Sequence, residues 1–466
     1  MNIDETIDSF RNAAVDLDCK KMVLSQRKAG GGRFEGQGYI RQISDGSLTF
    51  KLYVTTFENA APLDNLKALH GPGAGKLLTD EAYYDLTALA RDGTTWSASS
   101  ILPKFNWDMT DNSVLANGQI LSIVANLMPA QPNYCLRLHF FEEYEVPLHV
   151  MSQVEEHGST YSMLDRAEFE ACGSKFEVRK REGSGDTVVE ATRDTAFPPA
   201  FTLRVQEALQ YLIGKTATWR ARVATEGDGL VLELASPQRK SPRTQFNPPI
   251  SPTSIEFRTH GWVLFASYLA YLVESGADTQ WSPIAYHLYN ARESTANSID
   301  ARAIGVSVAV EAIASLAQIS TDEEKAKKTV LFQKYMRECL AAQSGFEDFV
   351  PRMDGLITML GNKRPQDTLH DLAKAGYVEK SYIKSWQDLR NRHVHPTIKD
   401  LKKPNLNDYQ KLLDNIHRVE VLLHQLTFYL IEYKGSFTDY GTENFPLKQY
   451  PLGKADDVNA CPQEAH

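Results

Sequence analysis

The chain has 466 residues, 42% hydrophobic and 23% charged, and a formal net charge of −9. That length predicts two or three domains, and that composition a chain able to bury a core. The acidic balance argues against non-specific coating of nucleic acid but leaves room for a small basic site.

The opening MNIDETIDSF is acidic and has no signal-peptide apolar core. No run approaches the roughly 18 apolar residues of a membrane span, so no membrane partner is expected. Cys19, Cys135, Cys172, Cys339 and Cys461 are scattered, with no Cys-x-x-Cys pair. Neither a disulfide framework nor a zinc site is implied, and a reducing cytoplasm is the expected location.

The first half reads as β-rich. GSLTFKLYV alternates Leu48, Phe50, Leu52 and Val54 on one face, the pattern of a half-buried strand. FEVRKREGSGDTVVEATR and WRARVATEGDGLVLELA each read as two strands joined by a glycine-rich turn. Between them, FTLRVQEALQYLIGK sets Val205, Leu209, Leu212 and Ile213 at helical spacing and stops near Gly214. Residues from about 60 to 115 are turn-rich and predict no definite element. Within them HGPGAGKLLTD resembles a phosphate-binding loop but lacks it in detail. His70 stands where that pattern needs glycine, and Leu77 follows Lys76 where a hydroxyl is needed, so a surface loop is expected. HFFEEYEVPLHVMSQVEEH gathers His139, His149 and His157 at no metal-ligand spacing. Alternation there predicts a strand with Arg137 and His139 turned outward to solvent.

ASPQRKSPRTQFNPPISPTS, residues 235–254, is rich in proline and basic residues and reads as an extended linker. Beyond it SIDARAIGVSVAVEAIASLAQI, KTVLFQKYMRECLAA, EKSYIKSWQDLRNRHVH and LNDYQKLLDNIHRVEVLLHQLTFYLIEYK read as helices. The predicted class is α+β multidomain. A β-rich module over 1–234, in one lobe or two, precedes the linker; an all-α bundle follows over 255–437, with a tail over 438–466.

The densest chemistry lies in DLRNRHVHP, residues 388–396. Two arginines and two histidines run into Pro396 in an acidic chain. A bland reading exists: cationic residues suit a helix C-terminus, and proline ends helices. Chance also yields Arg-x4-His pairs freely; requiring asparagine after the arginine makes Arg390-Asn391-x3-His395 rare. RNA can be cut without a metal when its 2′-OH attacks the neighbouring phosphate. Histidine suits the proton transfers, and arginine's planar fork suits the charge gathering on phosphorus. On an ideal helix residues five apart point about 140° away from each other. His395, before Pro396, is expected to leave helical geometry and swing back beside Arg390. His393, three residues on, shares Arg390's face and rivals His395 for the catalytic role. Lys380, Lys384, Arg392, Lys399, Lys402 and Lys403 cluster around the motif, as a solvated face or as an RNA-backbone contact.

Arg-Asn-x3-His on the penultimate helix of a small bundle resembles the HEPN superfamily of ribonucleases. VSVAVEAIAS resembles its earlier helix with a central acid, here Glu311, either Arg390's partner or a stray acid. LHDLAKAGYVEKSYIKSWQDLRNRHVH resembles the ApeA-like branch, which joins a β-rich N-terminal domain to a HEPN bundle. The match at residue level covers about 285–430; GGGRFEGQGYIRQISDGSLTFKLY is only generally similar.

The resemblance implies a metal-independent endoribonuclease of anti-phage, abortive-infection defence. Arg390, Asn391 and His395 would be catalytic, Glu311 and His393 supporting, and Lys384, Arg392, Lys399, Lys402 and Lys403 RNA-binding, with no cofactor or metal. Its partners would be RNA (tRNA among the candidates), a second copy sharing a composite site in a homodimer or higher oligomer, and a phage-derived trigger sensed by the N-terminal module. The alternative is a non-catalytic HEPN-like dimerisation or RNA-binding module. Transfer of a nucleotide to a protein is weaker, since no nucleotidyltransferase signature occurs.

Overall fold

The structure is a computed structural model. It describes all residues except 60–75, 109, 111–112, 128–132, 157–158, 182–184, 228, 239–245, 277–280, 318–322, 344, 346, 361–363, 395–405 and 454–466. The chain divides into two compact units: residues 1–202 with 217–240, and residues 203–216 with 241–466. A large antiparallel sheet in the N-terminal region precedes a helical C-terminal region, an α+β multidomain fold.

In the first unit, helix α1 (Ile3–Arg11) precedes fifteen strands of one sheet. These are β1 (Asp16–Gln26), β2 (Arg33–Gln42), β3 (Leu48–Glu58), β4 (Tyr84–Ala90), β5 (Thr95–Ile101), β6 (Lys104–Asp108), β7 (Ser113–Ile120) and β8 (Ser122–Leu127). There follow β9 (Tyr134–Phe140), β10 (Val150–Glu156), β11 (Ser159–Ala171), β12 (Ser174–Lys180), β13 (Thr187–Arg193), β14 (Ala221–Glu226) and β15 (Gly229–Ala235). Their order is β10-β11-β12-β13-β9-β14-β15-β8-β5-β4-β1-β2-β3-β7-β6. The predicted hairpins β12–β13 and β14–β15 are present, and Leu48, Phe50 and Leu52 of β3 are buried as their alternation requires.

The sheet curls around its core. The Phe105 ring of β6 packs with its centroid 4.5 Å from that of Phe34 of β2 and 5.7 Å from that of Tyr84 of β4, although four strands lie between β4 and β6. Gly38 permits close approach at one step of this curve. A Cβ there would stand 1.9 Å from the Lys51 carbonyl oxygen, so the run Gly36-Gln37-Gly38 is a backbone requirement of the β2–β3 ladder.

Two sequence expectations need correction or refinement here. β4 to β6 and the first residues of β7 lie in the stretch that predicted no element, since their short alternating runs sit among turns. His139 is buried, not solvated, because β9 is an interior strand between β13 and β14. Arg137 beside it pairs with Glu190 at 2.9 Å and with Asp4 of α1 at 3.4 Å. Burial, reinforced by the neighbouring arginines, pushes the His139 imidazole down to about 3. The HGPGAGK stretch up to residue 75 lies outside the described residues.

The second unit takes up most of helix α2 (Phe201–Ile213), which the sequence placed within the 1–234 module. Arg204 of α2 is fully buried, held by Glu207 and by the Gly276 carbonyl oxygen at 2.8 Å. The remaining helices are α3 (Ile255–Ser275), α4 (Pro283–Ser294), α5 (Ile299–Leu316), α6 (Glu323–Ala341), α7 (Val350–Met359), α8 (Pro365–Lys374), α9 (Lys380–Leu389) and α10 (Leu406–Leu430). A π-helical turn, Arg390–Val394, extends α9. α5 lies at the centre, against α4, α8, α9, α10 and the π turn, which explains its nearly unbroken apolar sequence.

The described residues at the end of the expected linker are packed. Ile250 is fully buried, and Asn247 donates to Glu420 of α10 at 2.9 Å. Residues 438–453, read above as the start of a tail, are anchored by the buried Thr438, Asp439, Tyr440 and Tyr450. Strands β16 (Gly435–Thr438) and β17 (Leu447–Tyr450) form a hairpin, and Asp439 between them is fully buried. Periodicity could not reveal segments whose burial comes from single anchoring side chains.

Candidate functional site

The site forms where α9 and its π turn cross α5. α5 starts at Ser298, whose hydroxyl accepts from the Ala301 amide at 3.1 Å. Asp300, Ser307 and Glu311 stand zero, seven and eleven positions along it, within about 20° of one face. Trp386 of α9 donates its indole N–H to the Ser307 carbonyl oxygen at 3.0 Å, fixing the two helices together at a buried point.

One turn later Arg390 meets Glu311. Its Nε donates to Oε2 at 2.9 Å and its Nη2 to Oε1 at 3.4 Å. The fork is thus gripped along one edge, and Nη1 has no hydrogen bond among the described residues. Both side chains remain partly open to solvent, 33% for Arg390 and 40% for Glu311. The carboxylate sets the plane of the guanidinium and leaves an edge that can take a phosphate oxygen.

The chain widens at this point. A π turn closes between residues five apart rather than four. Five is also the separation of Arg390 and His395, so the motif's spacing matches the turn that begins at its arginine. His395, with Lys399, Lys402 and Lys403, lies outside the described residues.

His393 takes a different direction from Arg390. Its Nδ1 lies 3.2 Å from the Asp300 carboxylate, and its side chain is 8% exposed. Asp300 and Glu311 are eleven residues apart, about 16 Å along α5. The two motif side chains therefore meet one face of α5 at two separate points instead of sharing one partner. Asn391 is exposed, Arg392 half-buried, and Lys380 and Lys384 exposed on α9. Asp300, Ser307 and Trp386 were not among the sequence candidates; for Asp300 and Ser307 their place on Glu311's face of α5 was the available signal.

A buried polar network lies on α10. Arg302 of α5 pairs with the fully buried Glu420, its Nε 2.7 Å from Oε1. Burial pushes the Glu420 carboxyl up to about 6, against the pull of Arg302 and Asn247. His424 Nε2 bonds the Asn247 carbonyl oxygen at 2.9 Å, and burial pushes its imidazole down to about 4. Among the described residues no group of three His, Cys, Asp or Glu side chains is placed to hold a metal ion, and no helix is long and apolar enough to cross a membrane.

Against known protein families, curated proteins and solved structures, the chain has no match.

Proposed function

We propose that this chain is a metal-independent endoribonuclease of the HEPN type, acting in bacterial anti-phage defence. The observation that carries the reading is the Arg390–Glu311 fork at the start of the π turn. A cation held in one plane by a carboxylate, half open to solvent, suits the charge that grows on a phosphodiester during attack.

In the proposed reaction the RNA 2′-OH attacks the adjacent phosphorus while an imidazole removes its proton. Arg390 takes the equatorial oxygens, Asn391 orients or binds one of them, and a second imidazole protonates the departing 5′-oxygen. One motif supplies one such imidazole, His395, so two motifs across one cleft complete the set. Lys384 and Arg392 would hold the RNA backbone, together with Lys399, Lys402 and Lys403, making binding salt-sensitive. The β-rich unit would sense a phage product or restrain the nuclease, and the protein would work in the cytoplasm. tRNA is one candidate target.

The test is RNA sequencing from cells expressing the wild type, Arg390→Ala or His395→Ala under infection. Hydroxyl 5′ ends and cyclic-phosphate 3′ ends formed by the wild type alone, and by the purified protein with chelator present, support the proposal. Equal fragments in all three strains, or none in the wild type, refute it.

One observation favours a second reading. Arg390's charge is already met by Glu311, as in a purely structural ion pair, and a non-catalytic dimerisation or RNA-binding module needs no more than that. RNA retention without cleavage would select it.

A further inference from the structure

Arg292, in the last turn of α4, is 5% exposed and has no carboxylate partner among the described residues. Its Nη2 donates to the Gln210 side-chain oxygen at 2.5 Å, while its Nη1 reaches the Gln210 backbone carbonyl oxygen only at 3.5 Å. Its Nε has no hydrogen-bond partner among the described residues. Other arginines sunk in this unit are answered by acids. Arg204 meets Glu207 at 2.7 Å, and Arg302 meets Glu420 at 2.6 Å. Glu293, next to Arg292 in the chain, accepts from the Thr216 hydroxyl at 3.2 Å. Buried charges are normally paired, because removing a lone ion from water is costly. Burial accordingly pushes the Arg292 guanidinium down to about 10, against the pull of Glu293.

Arg292 forms part of the wall of a cavity inside the helical unit. Tyr211 of α2 and Tyr268 of α3, stacked with ring centroids 4.4 Å apart, are buried in that wall with Phe246. Trp281 and Tyr289 are half-buried, their centroids 5.5 Å apart, and the Tyr289 centroid lies 5.6 Å from the Arg292 guanidinium carbon. The half-buried pair marks the mouth of the cavity. Water-sized atoms can be centred within about 20 Å³ of it, in a void of about 360 Å³ that opens to solvent. One water takes about 10–15 Å³ on that measure. The inner room therefore suits one water, or the two oxygens of a carboxylate. An aromatic cavity with a single uncompensated charge has the make-up of a small-molecule site.

We propose that this cavity binds a small monocarboxylate, its oxygens against Arg292 and its apolar part against Trp281 and Tyr289. A carboxylate matches a planar guanidinium in both charge and shape. Phosphate fits less well, since it brings up to two charges to one cation and the Glu207 carboxylate also lines the wall. The Tyr211 phenol adds no free donor, because it is engaged with His424 Nδ1 at 3.4 Å. The site goes beyond the nuclease reading and does not rest on it, as no residue of the Arg390 motif lines the cavity. Its occupant would tie α2, α3 and α4 together around one ion pair.

Equilibrium dialysis of the full chain against radiolabelled benzoate at fixed ionic strength tests the proposal, with far-UV dichroism to confirm folding. The wild type should bind about one benzoate per chain, saturably, and melt at a higher temperature when loaded. Arg292→Met, which keeps an unbranched side chain and removes the charge, should weaken binding about tenfold or more. Arg390→Ala should leave it unchanged. Acetate should compete for the site, and benzamide, the uncharged counterpart, should not. Trp281→Ala should weaken benzoate more than acetate. Absence of saturable binding to the wild type overturns the proposal and leaves the cavity to water. Binding kept in a folded Arg292→Met, or lost in Arg390→Ala, overturns it as well, and so does phosphate displacing benzoate as readily as acetate does. Where Arg292→Met fails to fold, Trp281→Ala at the open mouth decides: unchanged benzoate affinity there removes the site.

Discussion

Tyr382, two turns before Arg390 on the same helix, donates its phenol to both carboxylate oxygens of Asp439, at 2.6 and 2.8 Å. Asp439 also receives Lys448 at 2.7 Å, the Gly441 amide at 3.0 Å and the Thr442 hydroxyl at 2.8 Å. The C-terminal hairpin thus holds the motif helix through one buried anion.

Asp439→Ala should destabilise the helical unit by about 1–3 kcal/mol, because it leaves the buried Tyr382 phenol without its acceptor, while Lys448, 37% exposed, can turn to solvent. Tyr382→Phe, which removes one donor and keeps the ring, should cost about 1–2 kcal/mol. Burial alone would raise the Asp439 carboxyl, but Lys448, Tyr382 and Thr442 outweigh it and hold it below the ordinary 3.8. Its contribution is therefore complete above about pH 4 and lost as pH falls through its lowered value. Urea unfolding from pH 2 to 7 measures all three effects; an Asp439→Ala midpoint equal to the wild type would sink this account.

Buried histidines should make the protein acid-sensitive well above the carboxylate range. His424 sits near 4 when folded against 6.5 ordinarily, so the unfolded chain takes up a proton that the folded chain refuses. Stability then falls as pH drops from about 6.5 toward 4. Glu420 acts with the opposite sign, its raised value making the fold gain stability as pH falls from about 6 to 4.5. His424→Gln should flatten the slope of unfolding free energy against pH, and Glu420→Gln should steepen it. Identical slopes in all three proteins would contradict both assignments.

The Arg390–Glu311 fork gives a prediction about charge against shape. Under the proposed nuclease reading, Arg390→Lys keeps the cation but loses the planar pair of donors, so cleavage should fall about a hundredfold, nearly as far as in Arg390→Ala. Glu311→Gln, which loosens the fork without removing it, should fall less, about tenfold. Initial rates of RNA cleavage at fixed salt decide this; full activity in Arg390→Lys would show that only the charge matters.

In the sheet unit, Gly38→Ala should cost about 3 kcal/mol or more, because the new methyl meets the Lys51 carbonyl oxygen and the Met22 sulfur. Gly30, with open space around its Cα, gives a control, although its φ of +68° makes alanine strained there too. Thermal melts that rank Gly30→Ala as the worse variant would argue against the close approach.

The sequence by itself determined the elements whose residues alternate or recur over many positions. The β3 strand, the β12–β13 and β14–β15 hairpins and the long helices α5 and α10 were legible, because one buried face repeats at the period of the backbone. It also determined which residues at the motif carry suitable chemistry. Tertiary structure alone decided their company: Arg390 meets Glu311 seventy-nine residues away, and His393 turns to Asp300 instead. It decided that His139 lies inside a sheet and that Asp439 anchors a hairpin. Periodicity reports which face is buried, but a single polar group's partner depends on how distant segments happen to meet, and no local spacing encodes that.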